Sequence, residues 1–397
     1  MNSPFNRFIA IAGVLCLVPI SIDACSDIST DRARESVVKQ HLKRANQNLL
    51  DGRLRLAESG YSAAVRLNPL HPLARTGLAR TQASRVSKET NTIDQNSAYA
   101  FIERFEYAVE KDTQYGPTYR IALGKLFQGL GQLDVATKWF TAAVESDPEN
   151  PRAWRLQGAI LSQTGDIAEA IKSLEKSAKL DPKDGQTAFL LGAIFKKQGK
   201  LAEAVAKLEE AAKTLPTATT LFELGDVYIQ TKNPEKAYQV LSAALRAPGS
   251  KDMASDIAAT LGVAAYRTKR FQEAVNYLNL AKQKKPTPGV LLNLAVAYQG
   301  MNNHQEALKL LQGLYQSQPT STDVNVRLII SLAQTQQMNA ARQIGARYVA
   351  MAQKNPKLAK GAEQVKKLLA EIPSQAPKMK MPPPTPTPAP APAPRPR

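Results

Sequence analysis

Residues 151–184, PRAWRLQGAILSQTGDIAEAIKSLEKSAKLDPKD, decide the fold. Apolar residues recur in two runs at steps of three and four, which is the spacing of one face of an α-helix. The dipeptide Gly165-Asp166 provides a turn between the runs, and Asp181-Pro182 ends the second run. The stretch therefore predicts two antiparallel helices joined by a tight turn.

The same pattern recurs along the chain with a period near 34 residues. A column of small residues is followed, twelve positions later, by a column of alanines. The first column comprises Gly124, Gly158, Gly192, Gly225, Gly262 and Ala295, and the second comprises Ala136, Ala170, Ala204, Ala237, Ala274 and Ala307. Small side chains let two helices cross closely, and because no single pair can bury its apolar face alone, the pairs are expected to stack.

Three segments resemble the tetratricopeptide repeat: GDIAEAIKSLEKSAKLDP at 165–182, GKLAEAVAKLEEAAKTLP at 199–216 and KRFQEAVNYLNLAKQKKP at 269–286. The resemblance implies an all-α, right-handed solenoid of about nine helix-turn-helix repeats. It also implies that the first helix of each pair lines a concave groove. Members of this family usually bind proteins or peptides and are not enzymes.

We predict an ordered region at 38–371, built of repeats followed by a C-terminal capping helix at 356–371. The repeats are predicted at 38–71, 72–116, 117–150, 151–184, 185–217, 218–254, 255–287, 288–321 and 322–355. The second repeat carries a polar, loop-like insertion at 81–97, followed by a helix at 97–111 with Phe105 and Ala108 facing inward. The basic tail, 372–397, is proline-rich and is expected to be disordered or polyproline II.

The first residues predict an export signal. A 13-residue apolar run follows Arg7, which is too short for an ordinary membrane-spanning helix. The sequence Ile22-Asp23-Ala24-Cys25 resembles a bacterial lipobox, although Asp23 departs from its pattern. We predict a signal peptide at 1–24, lipidation at Cys25, a tether at 25–37 and a periplasmic location, with the outer membrane favoured over the inner. A plain secretory signal and an uncleaved anchor are the alternatives.

Charge and composition narrow the function. Lysine and arginine number 52 against 34 acidic residues, a net charge of +18, of which +14 falls on residues 25–371. This excess favours acidic partners, and export removes most of the case for nucleic acid. The only two cysteines are Cys16 and Cys25, the three histidines are scattered, and no catalytic motif is present. We therefore expect no metal, no cofactor and no enzymatic activity.

The concave groove that the resemblance implies is the predicted binding site. Its candidate partner-binding residues are Lys125, Arg152, Arg155, Phe189, Lys196, Lys197, Phe222, Asp226, Tyr266 and Arg267. Cations beside aromatic rings suit an acidic or C-terminal peptide, with ordinary exposed helix surface as the alternative. The lysine and asparagine clamp of chaperone-binding relatives is not seen, since Leu42 precedes Asn46 by one turn.

Two functions fit this reading. The leading hypothesis is a non-enzymatic scaffold or assembly factor of the bacterial cell envelope, tethered to the membrane through lipid, that binds an envelope protein or peptide. The alternative is a lipoprotein component of exopolysaccharide export that contacts an acidic polysaccharide.

Overall fold

The computed structural model of the protein describes residues 28–88 and 95–372, and these form 19 α-helices joined by turns, with no strand among them. The prediction of an all-α solenoid of helix pairs is confirmed. The predicted signal peptide, Cys25 and residues 373–397 of the tail lie outside the described residues. The helices fall into two compact units, which meet in sequence between Asp147 and Pro148.

The first unit contains six helices. They are α1 (Ile28–Leu50), α2 (Leu54–Leu67), α3 (Pro72–Lys88), α4 (Gln95–Lys111), α5 (Gly116–Gly129) and α6 (Leu133–Ser146). Because α1 already begins at Ile28, residues 28–37 are helical, whereas the sequence assigned them to a tether.

The structure corrects the predicted loop at 81–97 in part, and residues 89–94 of that segment lie outside the described residues. Helix α3 continues to Lys88 and α4 begins at Gln95, so every described residue of the segment is helical. Two of its polar side chains, Thr81 and Gln82, are buried and bonded rather than solvated. The Thr81 hydroxyl donates to backbone carbonyls of its own helix. The side chain of Gln82 donates to Glu58 and accepts from Arg104. Polarity alone was therefore a misleading sign of a loop here.

Charged and aromatic groups tie this divergent second repeat together. Phe105 and Ala108 are fully buried, as the sequence predicted. Arg80 lies 3.0 Å from the carboxylate of Asp112, which also accepts a 2.8 Å hydrogen bond from the Tyr119 hydroxyl. The Arg80 guanidinium stacks 3.7 Å above the ring of Tyr115. The repeat is thus held by polar contacts where its apolar pattern is weakest.

The second unit contains thirteen helices. They are α7 (Pro151–Thr164), α8 (Ile167–Leu180), α9 (Gly185–Lys197), α10 (Leu201–Thr214), α11 (Ala218–Gln230), α12 (Pro234–Ala244), α13 (Ser250–Arg267), α14 (Phe271–Lys284), α15 (Pro288–Gly300), α16 (His304–Ser317), α17 (Thr322–Gln334), α18 (Met338–Lys354) and α19 (Ala359–Glu371). Each odd-numbered helix from α7 to α17 packs on the helix that follows it.

Close helix crossings explain the small-residue column. A Cβ atom added at Gly158, Gly192 or Gly225 would lie 2.5–2.7 Å from a leucine of the paired helix, closer than carbon atoms can approach. Every alanine of the second column is fully buried. The crossing thus has room for only a hydrogen atom at these glycines, and the alanine methyl groups of the second column are enclosed, which agrees with the close crossing that the sequence suggested.

The turns within pairs share one backbone conformation in the eight pairs whose turns the structure describes. Each of these turns contains a residue with φ between 55° and 102°, which is glycine in the pairs that begin with α1, α5, α7 and α9. Lys232, Lys269, Asn302 and Gln336 take this place in the four later pairs. None of the helices within 28–88 and 95–372 has the length and apolar character to cross a membrane.

Candidate partner-binding face

The first helices of the second unit carry most of the predicted site. We call the row formed by α7, α9, α11, α13, α15 and α17 the first-helix face. Most of these helices begin at a polar side chain that accepts backbone N–H groups of the first turn: Asn150, Asp184, Thr217, Thr287 and Ser321. Such caps satisfy donors that the helix leaves open and fix where each helix starts.

Arg155 of α7 is bound to the next pair. Its guanidinium lies 2.5 Å from the carboxylate of Asp184, which also accepts from the Thr187 hydroxyl at 2.6 Å and from the backbone N–H of Gln186 at 3.2 Å. Burial raises the pKa of Asp184, but the bonds from Thr187 and Arg155 outweigh burial, so the net shift is downward. Asp184 therefore caps α9 and neutralises Arg155 together.

Lys196 of α9 is bound in the same way. Its ammonium lies 2.8 Å from Glu223 and 2.5 Å from Asp226, both on α11. Burial lowers the pKa of Lys196, but the two carboxylates outweigh it and the net pKa is raised. Lys196 and Asp226, two predicted site residues, are thus brought together. They bind each other, which leaves little of their charge for a partner.

The remaining predicted residues of α7, α9 and α11 differ in exposure. Phe222 is buried in an apolar cluster, and Phe189 packs against that cluster while half-buried. Arg152 is half-buried, and burial together with Arg155 lowers its pKa. Lys197 is exposed and forms no ion pair within the part of the chain that the structure describes. Lys197 is therefore the most accessible cation among these candidates.

Tyr266 and Arg267 end helix α13. The ring of Tyr266 packs 5.5 Å from that of Phe271, and burial raises the pKa of its hydroxyl. The Arg267 guanidinium donates a 2.8 Å hydrogen bond to the carbonyl of Ile229 on α11, and burial lowers its pKa. Arg267 thus links its pair to the preceding one, and Tyr266 packs within its own pair, so neither side chain projects freely.

Sequence reasoning missed a buried polar group farther along the face. Gln299 of α15 is 1% exposed and donates to the Arg327 carbonyl at 2.8 Å and to the Ser331 hydroxyl at 2.7 Å. Arg327 of α17 is 5% exposed, and its Nη1 has no hydrogen-bond partner among the described residues. Burial lowers the pKa of Arg327. A signal existed: Gln299 and Lys196 take the same place in their repeats, and so do Arg327 and Glu223.

The ten candidates do not form one cluster. Lys125 lies on α5 in the first unit, where its ammonium is 3.4 Å from the carbonyl of Val86, while the other nine lie in the second unit. Their role in binding a partner stays a prediction. Within the described ranges, no group of three or more histidine, cysteine, aspartate or glutamate side chains could hold a metal ion.

Stacked helix pairs joined by contacts between successive first helices define the helical-repeat class of proteins. Tetratricopeptide repeat models match residues 121–185 and 189–252, and a second such model matches residues 298–372. Since these matches together cover about half of the chain, the protein belongs to the tetratricopeptide repeat family. Proteins of this family are protein-interaction scaffolds that bind peptides or proteins.

Several solved structures share this architecture at low identity. YrrB, described as a TPR protein with an unusual peptide-binding site, is 20% identical with a TM-score of 0.44, over 47% of this chain and 95% of that chain. PilF of Pseudomonas aeruginosa is 19% identical, with a TM-score of 0.45, over 53% of this chain and 96% of that chain. PilW, described as a type IV pilus biogenesis factor, is 17% identical, with a TM-score of 0.45, over 54% of this chain and 98% of that chain. These likenesses carry no functional argument. No curated protein matches the sequence.

Proposed function

We propose that the protein is a non-enzymatic scaffold that holds a partner protein or peptide along its first-helix face. The observation that carries this proposal is the series of side-chain bonds from one first helix to the next. Arg155 bonds across to the start of α9, Lys196 to α11, and Gln299 to α17. A face fixed in this way loses little side-chain freedom when a partner binds, which favours affinity.

The internal ion pairs change the expected chemistry of the partner. Arg155 and Lys196 were predicted to attract an acidic peptide, but both are already matched by carboxylates. An acidic partner would have to compete with those bonds, whereas Lys197 and the half-buried ring of Phe189 are accessible. The proposed partner therefore docks through apolar contacts around Phe189, with one or a few charges meeting Lys197 and Arg152.

The bacterial cell envelope is the proposed setting. The lipobox-like sequence ending at Cys25 supports export and a lipid tether. Intact mass spectrometry of the protein from membrane and soluble fractions tests this address. A chain that begins at Cys25 and carries acyl groups, absent from the Cys25→Ala variant, is the expected result. An unmodified chain beginning at Met1 in the cytosol would overturn the address.

Site-specific photocrosslinking in cells tests the binding face. A crosslinking amino acid replaces Lys197, on the first helix α9, or Lys213, an exposed lysine on the second helix α10. We expect a discrete adduct with an envelope protein from position 197 and none from position 213. Equal adducts from both positions, or none from either, would count against the first-helix face as the binding surface. An adduct with polysaccharide would favour the exopolysaccharide alternative.

A further inference from the structure

The first three helices carry a large share of the positive charge. Residues 28–88 contain 12 lysines and arginines and four acidic residues. Three ion pairs account for part of this charge: Lys39 with Glu35, Arg80 with Asp112 and Arg85 with Glu58. The remaining cations concentrate on α1 and α2, so this end of the protein presents more positive charge than its own carboxylates neutralise.

Five exposed side chains at the α1–α2 turn combine charge with apolar surface, and we call them the N-terminal basic edge: Lys43, Leu50, Arg53, Arg55 and Leu56. Leu50 is 82% exposed and Leu56 is 57% exposed. Lys43 lies seven residues before Leu50, on the same side of α1. The three cations form no ion pair within the described part of the chain.

The place of the edge in the fold makes its leucines unusual. The α1–α2 pair packs against α3, and no described helix covers its other side. The end repeat of a solenoid normally presents a polar outer face, because water takes the place of the next repeat. Two leucines exposed among arginines do not serve that purpose. An anionic lipid surface suits both groups, since cations meet the headgroups while leucines enter the boundary with the acyl chains.

We propose that the N-terminal basic edge binds an anionic phospholipid surface. This inference rests on the lipid tether in the proposed function, because Cys25 lies only three residues before α1. Three extended residues reach about 11 Å, so a lipid on Cys25 would hold the start of α1 close to the headgroups. Helix α1 then lies along the membrane, and its far end brings Leu50 and the neighbouring arginines to the same surface.

Vesicle sedimentation tests the proposal without the acyl chains. The protein used is residues 26–397, which lacks the leader and the cysteine but keeps every described residue. The probes are phosphatidylcholine vesicles with and without about 30% phosphatidylglycerol. The test variant carries Lys43→Glu, Arg53→Glu and Arg55→Glu. The matched control carries Lys251→Glu, Lys357→Glu and Lys360→Glu, which are exposed lysines of the second unit.

We expect the unaltered protein and the control to bind the anionic vesicles, with the test variant binding roughly tenfold or more weakly. Added salt should weaken binding, and Leu50→Ser with Leu56→Ser should weaken it severalfold at any salt concentration. Equal losses in the test and control variants would overturn the proposal, because net charge alone would then explain binding. No binding by the unaltered protein would overturn it as well. Neither result depends on acylation or on the photocrosslinking, so failure of the scaffold or of the tether would be seen separately.

Discussion

Two places on the first-helix face have the same position in their repeats and opposite chemistry. At one, Lys196 of α9 meets the carboxylate of Glu223 on α11. At the other, Gln299 of α15 meets the backbone of Arg327 on α17, and the guanidinium Nη1 of Arg327 has no partner among the described residues. The repeat therefore fixes which residues meet across a pair boundary, whereas the side-chain types decide whether the charge at that boundary is neutralised.

The largest loss of stability is expected at the ion pair between Arg155 of α7 and Asp184 at the start of α9. Asp184→Ala removes the cap of α9 and leaves Arg155, whose side chain is 18% exposed, without its carboxylate. We expect the free energy of unfolding to fall by about 3 kcal/mol, measured by urea denaturation. The control Asp166→Ala removes an exposed carboxylate at another helix start that makes no capping bond, and should cost about 0.5 kcal/mol or less. Equal costs for the two variants would contradict this role of Asp184.

Because of Asp184, the stability of the protein is also expected to depend on pH in the acid range. The pKa of Asp184 is lower in the folded protein than its ordinary value of about 3.9. Its contribution is therefore fully present above that value and is lost as the pH falls through the lower, folded pKa. Urea denaturation of the wild type and Asp184→Asn at several pH values should show their stability difference shrinking below about pH 4. A difference that stays constant into strong acid would show that the bond does not depend on ionised Asp184.

A smaller loss of stability is expected when Lys196 is removed from its contact with Glu223. Lys196→Met leaves Glu223 and Asp226, whose side chains are 22% and 15% exposed, facing each other without the ammonium. We expect the free energy of unfolding to fall by about 2 kcal/mol. The adjacent Lys197→Met is the control, because Lys197 is exposed and should change stability by no more than about 0.5 kcal/mol. If both methionine variants behaved alike, the two carboxylates would not depend on Lys196.

A gain in stability is expected when the buried guanidinium of Arg327 is removed. Arg327→Met replaces a guanidinium that is 5% exposed with an apolar side chain, while the carbonyl that accepts from Gln299 remains. We expect the free energy of unfolding to rise by about 1 kcal/mol, since burial of the charge no longer has to be offset. Arg342→Met, on the exposed side of α18, should leave it within about 0.5 kcal/mol. A loss of stability in Arg327→Met would show that the guanidinium has a stabilising partner.

The difference between the Lys196 and Gln299 positions explains which features of the structure could be predicted from the sequence. The period near 34 residues and the small-residue columns predicted the helix pairs, because the close crossing of Gly192 with Leu208 recurs with glycine and leucine at Gly158, Gly225 and Gly262. The charge state of the face could not be predicted from one repeat. Glu223 lies 27 residues beyond Lys196, and its effect appears only when successive pairs are stacked. Side-chain type was visible in the sequence, but neutralisation by the next repeat was not.

The smallest stability changes are expected in the turns within pairs, where equivalent positions are occupied by glycine in one pair and by lysine in another. Gly199 follows α9 with φ of 73°, whereas Lys269 takes the corresponding place after α13 with φ of 62°. Side chains other than glycine lose about 1 kcal/mol or more in this left-handed region, which exceeds the extra backbone entropy that glycine loses on folding. Lys269→Gly should therefore raise the free energy of unfolding by about 0.5 kcal/mol, and Gly199→Lys should lower it by about 1 kcal/mol. Both are measured by urea denaturation, and Lys282→Gly, inside helix α14, is the control that should destabilise. If Lys269→Gly also destabilised the protein, the turn would depend on a contact of the lysine side chain and not on its backbone angle.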